Sequence, residues 1–167
     1  DVIIGINSGS ADRWPKSLSI KKTSKIIDIL YRKFNAKILI FGGPNELNRN
    51  KEIIKLTKSP VIDTGCGNDL IEFPALISLC SVVITTDSLG LHVALALKRK
   101  TIVLIGPTSN AELDMYGIGG KVIADSKCLC CYNKDCKSMD KININKIISH
   151  VKNLLLQKIT LIVCCEN

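Results

Sequence analysis

The sequence predicts an α/β fold whose doubly wound parallel sheet is covered by helices on both faces. Three observations carry this. Short β-branched and aliphatic runs alternate with longer stretches of helical periodicity five times between residues 2 and 105. The short runs are apolar throughout rather than alternating, as strands buried on both faces are. Each run ends in a cluster of Gly, Pro, Asn or Ser, the composition of a turn. The 167-residue chain is 46% hydrophobic and 23% charged, the balance of one globular domain or of one half of a two-domain protein. That balance excludes extended disorder. The longest apolar runs, residues 38–41 and 102–105, fall far short of the roughly 20 residues that a bilayer span needs.

Val2-Ile3-Ile4-Gly5-Ile6 reads as a first strand that leaves into the polar loop 7–10. Asp1 leads directly into that run with no initiator Met or signal peptide, so the chain reads as a fragment cut just before a strand. After Pro15, the spacing of Ile20, Ile26, Ile27, Leu30, Tyr31 and Phe34 predicts an amphipathic helix, with Lys21, Lys22, Lys25, Arg32 and Lys33 on the other face. Residues 37–41 predict the second strand, stopped by Gly42-Gly43-Pro44, and 46–57 a weaker helix. Residues 60–63 predict a short third strand. Asp69 is placed to cap a helix running to residue 80, with Pro74 tolerated early in it. Residues 82–85 predict the fourth strand, 88–97 a helix of small residues, and 101–105 the fifth strand, stopped by Gly106-Pro107. Beyond it come a strand at 121–124, a Cys-rich loop at 127–140 and a last helix at 142–156 with Ile144, Ile147, Ile148, Val151 and Leu155 along one side. The folded unit is expected to span residues 1–158, leaving 159–167 as a tail.

The net charge is +8, unevenly placed: +7 over residues 1–60, −3 over 61–126 and +4 over 127–167. A basic face suits a phosphorylated ligand or an anionic surface, or is simply a solvated lysine-rich helix face. Aromatic residues make up only 4% and do not interleave with the basic ones, which argues against nucleic acid. Eight cysteines in a chain this aliphatic do not make a disulfide scaffold, and they imply a reducing compartment.

Chemistry concentrates at the strand ends. Thr85-Thr86-Asp87-Ser88-Leu89-Gly90-Leu91-His92 joins the fourth strand to a helix whose first-turn N–H groups and dipole form an anion site. Ser88 adds a hydroxyl, and His92 follows it at four-residue spacing. Asp87 suits ligand hydroxyls better than phosphate, with a helix cap as the structural alternative; a core position is the corresponding alternative for His92. Ser8-Gly9-Ser10 with Arg13 and Lys16, Gly42-Gly43-Pro44-Asn45-Glu46, Gly65-Cys66-Gly67-Asn68 and Gly106-Pro107-Thr108 end the other strands. In a doubly wound sheet these loops converge on one crevice. Neither G-x-G-x-x-G nor G-x-x-x-x-G-K-[S/T] occurs, which removes support for dehydrogenase and P-loop readings.

Arg13-Trp14-Pro15, Gly42-Gly43-Pro44-x-Glu46, Asp87-Ser88-x-x-x-His92, Gly106-Pro107-Thr108 and Cys128-x-x-Cys131-Tyr132, in this order, resemble glycosyltransferase family 9, the bacterial heptosyltransferases of lipopolysaccharide core assembly. The resemblance runs from residue 2 to about residue 150 and covers only the C-terminal half of the family pattern. It implies one Rossmann-like domain of a GT-B fold, the half that binds the nucleotide-sugar donor. The N-terminal half, with the acceptor site and the catalytic Asp, is expected to be absent, so no catalytic residue is assigned and the chain alone is expected to be inactive. The implied donor is ADP-heptose, the acceptor a lipid-anchored saccharide, and the place the cytoplasmic face of the bacterial inner membrane, with peripheral membrane contact. No cofactor and no metal are expected for the reaction.

By the same resemblance, Asp87, Ser88 and His92 hold the diphosphate and donor sugar. Glu46 takes the ribose, Asn68 meets the adenine edge, and Ser8, Gly9 and Ser10 face the phosphates, with charge from Arg13 or Lys16. Two positions depart from the family pattern: Asp12 stands where a Lys is usual, and Leu89 where a Gly is usual. A side chain at Leu89 is expected to crowd the phosphates, which leaves a degenerate, non-catalytic binding module as the alternative function. Cys128, Cys131 and Cys136 have zinc-like spacing. Ser138 stands where the family has a further Cys, however, so reduced free thiols are expected and a zinc module is the weaker alternative.

Overall fold

The computed structural model describes residues 1–10 and 14–157. Arg13 and the tail 159–167 lie outside the described residues. Among those described, six strands form one sheet: β1 (Ile3–Asn7), β2 (Lys37–Ile40), β3 (Ile62–Asp63), β4 (Val82–Thr86), β5 (Thr101–Ile105) and β6 (Gly119–Ile123). Their order is β3-β2-β1-β4-β5-β6 and every pairing is parallel. The chain winds outward from β1 to β3, returns to β4 beside β1, and winds outward the other way. The connections after β1 and β4 therefore diverge, and the sheet opens a crevice between them at its carboxyl edge.

The apolar strands bury both faces, as their composition requires. Ile4, Ile6, Ile38, Ile40, Val82, Ile84, Ile102 and Leu104 pack beneath helices α1 (Ile20–Phe34), α2 (Leu47–Leu56) and α5 (Ile144–Leu156). Leu39, Phe41 and Val83 face the opposite side with Ile77 of α3 (Glu72–Ser78) and Ala94 of α4 (Leu89–Ala96). Helix α1 starts where Ser19 Oγ accepts from Lys22 N–H and ends at Asn35, whose left-handed backbone (φ 47°) turns the chain into β2. No helix of the described residues is long and apolar enough to cross a membrane.

Several elements differ from expectation, three of them beside the strand-end loops. Residues 44–46 form a 3-10 turn, and α2 begins only at Leu47, because Pro44 sets the first turn and Glu46 folds back to accept from Gly43 N–H at 2.7 Å. Strand β3 shrinks to two residues, both exposed at the sheet edge. Helix α3 begins at Glu72 rather than at Asp69 and ends at Ser78. Asp69 is nevertheless the cap: its carboxylate accepts from Ile71 and Glu72 N–H at 2.7 and 2.8 Å, and Glu72 Oε2 accepts from Asp69 N–H at 3.1 Å. Pro74 falls in the first turn, where its missing N–H costs nothing.

The hydrogen bonds from the Glu72 and Ile71 N–H groups hold the Asp69 carboxyl below its ordinary range. A lowered folded pKa means that this cap's contribution is complete above the ordinary carboxylate value near 3.8 and fades as pH falls through the folded value. Acid denaturation curves of Asp69→Asn are therefore expected to lose part of the wild-type dependence below that value. Superimposable acid limbs for the two proteins would contradict this.

Candidate functional site

A cleft of about 340 Å³ opens at the carboxyl edge between β1 and β4. Its walls are the loops after β1 (Gly9, Ser10, Lys16), β2 (Gly42, Gly43, Pro44, Glu46), β3 (Asn68, Asp69, Leu70) and β4 (Asp87, Ser88, Leu89, Gly90), with Asn7 and Phe73 also lining it. The convergence expected of these four loops is what the structure shows. The loop after β5 is elsewhere: Pro107 carbonyl accepts from Tyr132 N–H at 3.1 Å, beneath the Cys-rich loop.

The two diverging connections are tied across the crevice. Lys16 Nζ pairs with Asp87 Oδ2 at 3.1 Å, with both side chains about four-fifths buried (18% and 20% exposed). Thr86 Oγ1 donates to Gly9 carbonyl at 2.6 Å. Asp87 is thus an ion-pair partner at the mouth of the cleft and not a helix cap. The N-cap of α4 is Ser88, without a side-chain cap bond. Its hydroxyl turns inward, 3.2 Å from Thr85 Oγ1 and 3.3 Å from the Thr86 carbonyl. Leu91 N–H donates to the Ser88 carbonyl at 3.0 Å, which leaves the N–H groups of Leu89 and Gly90 at the start of α4 for an anion in the cleft.

Glu46 lies at the opposite wall. One carboxylate oxygen accepts from Gly43 N–H, and the other, Oε1, is buried without a partner. A Cβ on Gly9 would fall inside that carboxylate, so the Glu46 side chain keeps this position only because residue 9 is glycine. Asn7 Oδ1 is likewise buried and unpaired. A Cβ on Gly90 would come within 2.5 Å of the Asn7 amide nitrogen, so Gly90 lets α4 close down on β1. Buried polar atoms without partners are costly, and both of these belong to residues that line the cleft. Leu70, Phe73 and Leu89 give the cleft an apolar lip, with Leu89 59% exposed and Leu70 81%.

Several expected site residues take other places. Ser8 is buried and does not line the cleft; its hydroxyl and carbonyl both accept from Arg49 Nη2, at 3.0 and 3.3 Å. His92 is exposed on α4 and lies neither in the cleft lining nor in the core. The four-residue spacing from Ser88 does not align them, because Ser88 has extended backbone (φ −149°, ψ 178°) and precedes the helix. Asn68 lines the cleft while its amide donates to the Thr64 and Gly65 carbonyls, so it shapes the β3 loop.

Asn7 and Arg49 were not read from the sequence. Arg49 is half-buried; it ties the β1 loop down by also donating to the Leu18 carbonyl. Burial pushes its guanidinium down from the usual value, and the Glu46 carboxylate opposes that shift. An Arg in α2 three residues after Glu46 gives no local sign of this role. Cys80 is inert by position: burial pushes its thiol up to about 12.

Comparison with known proteins agrees with this geometry. Residues 3–142 match the model of "Glycosyltransferase family 9 (heptosyltransferase)". Lipooligosaccharide heptosyltransferase 2 of Campylobacter jejuni is 28% identical over 92% of this chain and 51% of its own length. Two solved structures share the fold. The family 9 glycosyl transferase of Veillonella parvula has a TM-score of 0.79 at 24% identity, over 95% of this chain and 47% of its own. The ADP-heptose lipopolysaccharide heptosyltransferase II of Escherichia coli has a TM-score of 0.81 at 20% identity, over 93% and 47%. The chain spans about half the length of the curated relatives it matches.

Proposed function

The chain belongs to glycosyltransferase family 9, and on that premise we propose that it is the half of a heptosyltransferase that holds an ADP-activated heptose for transfer to a lipid-anchored saccharide of the lipopolysaccharide core. The observation that carries this reading is the cleft itself. It sets a helix N-terminus beside a lysine on one side, and an unpaired buried carboxylate oxygen on the other. The first pair suits a diphosphate and the carboxylate suits ribose hydroxyls. The donor assignment follows the name of the Escherichia coli structure.

In this reading Lys16 leaves Asp87 for the diphosphate, and Asp87 turns to hydroxyls of the donor sugar. Lys16 and the α4 N–H groups then stabilise charge that builds on the departing diphosphate. No metal ion takes part. The acceptor site and the base that deprotonates its hydroxyl belong to the half of the family's length that this chain does not span. The 167-residue chain is accordingly expected to bind donor nucleotide and transfer no sugar. Transfer at a rate comparable to a full-length enzyme of the family would overturn that division of labour. The protein works on the cytoplasmic side of the inner membrane, where its acceptor is anchored.

Leu89 favours a second reading, a binding module that has lost donor affinity. Leu89 is part of the cleft lining, directly after the N-cap. If it crowds the phosphates, Leu89→Gly tightens ADP binding by about five- to a hundredfold, the worth of one close steric conflict of about 1–3 kcal/mol. Crowding is the expected result. Equal affinities by calorimetry would mean that Leu89 points clear of the ligand.

A further inference from the structure

The Cys-rich loop between β6 and α5 folds three thiols to one point. The sulfurs of Cys128, Cys131 and Cys136 all lie within 4.8 Å of one another, and Cys128 and Cys136 are 3.6 Å apart. A tetrahedral zinc-class ion with bonds of about 2.3 Å to sulfur sets its ligand sulfurs about 3.8 Å apart. The loop thus already holds the three at the spacing such an ion imposes, to within about an ångström. The spacing in sequence does not do this alone. Cys130 and Tyr132 adopt left-handed backbone, with φ of 53° and 46°, on either side of Cys131. That conformation is uncommon for non-glycine residues and persists where surrounding interactions impose it.

The loop is also built like an outer shell. Cys136 is buried, and its sulfur lies 3.1 Å from the buried Ser138 hydroxyl, a group able to hydrogen-bond a thiolate. Lys127, Lys134 and Lys137 stand against Asp135 alone in residues 127–137, an excess of positive charge that suits three thiolates around a dication, net −1. Tyr132, next to Cys131, donates its N–H to Pro107 and stands edge-on to Trp14 at 5.7 Å between ring centroids. The loop therefore braces the segment that leads into Lys16.

We propose that Cys128, Cys131 and Cys136 form a structural site for a borderline-soft divalent cation of the zinc class, with water in the fourth position, and that the ion fixes this loop against the β1–α1 and β5 connections. The ion is no part of the transfer chemistry. Loading it requires only loss of three thiol protons to solvent, with no change of oxidation state.

The test is titration of the reduced, metal-stripped 167-residue protein with Co²⁺. The expected result is one equivalent bound, with a near-ultraviolet sulfur-to-cobalt charge-transfer band and strong visible bands of tetrahedral cobalt, all displaced by Zn²⁺. Cys128→Ser and Cys131→Ser are expected to lower the affinity by more than the roughly hundredfold that loss of an outer-shell partner costs. Cys66→Ser and the paired change Cys164→Ser with Cys165→Ser are expected to leave it unaltered. Cys128 is exposed, so its variant should melt as the metal-free wild type does, and Trp14 fluorescence should respond to metal in the wild type only. Three outcomes would overturn the proposal: no tetrahedral cobalt spectrum, a spectrum that survives the loop changes or is lost with the tail cysteines, or a thiol count showing a disulfide within the loop under the same reducing conditions.

Discussion

Lys16→Glu is expected to weaken ADP binding by roughly a hundredfold or more. Lys16 is the described cation that lines the cleft, and it stands across from Asp87 at the mouth of the crevice. A hydrogen bond to a charged group is worth about 1.5–3 kcal/mol, and the reversed charge adds repulsion of the diphosphate. Lys16→Ala removes only the first part and should cost roughly ten- to a hundredfold. Stability should fall as well in Lys16→Ala, by about 1–3 kcal/mol, because the four-fifths-buried Asp87 carboxylate loses its partner. Calorimetry with each variant, paired with a thermal melt, checks both halves of the statement. Wild-type affinity in Lys16→Glu would place the diphosphate elsewhere.

Arg49→Ala should produce the largest loss of stability of any change near the site. The half-buried guanidinium holds the Ser8 hydroxyl, the Ser8 carbonyl and the Leu18 carbonyl. Removing it leaves buried acceptors unpaired and frees the connection that carries Gly9, Ser10 and Lys16. The expected cost is about 2–4 kcal/mol, or a melting temperature lower by roughly 5–15 °C for a domain of this size. ADP affinity should fall as well, although Arg49 does not line the cleft. A melt within about a degree of wild type would show that the β1 loop holds its place without Arg49.

The fold was legible because its signals are local. Apolar strands such as 101–105, the amphipathic run 20–34 and the Gly and Pro that stop them each declare their element within a few residues. That a cleft lies at the carboxyl ends of the strands followed from the alternation, but the same reasoning put the loop after β5 in it, because the strand order that keeps this loop out is not a local signal. Individual side chains were legible only where one loop decides them. Glu46, Lys16, Asp87 and Leu89 reach the cleft because short turns aim them there. Ser8 was misplaced because its partner Arg49 comes from a helix 41 residues away. His92 lies outside the cleft lining, and helical spacing counted from Ser88, a residue just outside the helix, does not bring it there. The three thiols were visible as a spacing, but their convergence depends on two left-handed residues that no local composition announces.

The account turns on the cleft being a nucleotide site. The most direct measurement is calorimetric titration of the 167-residue chain with ADP and, in parallel, with UDP. The prediction is saturable ADP binding at one site per chain, weaker for UDP, and lost in Lys16→Glu. A chain that binds neither nucleotide at millimolar concentration, in both the wild type and Leu89→Gly, would contradict the assignment of this cleft to an ADP-linked donor.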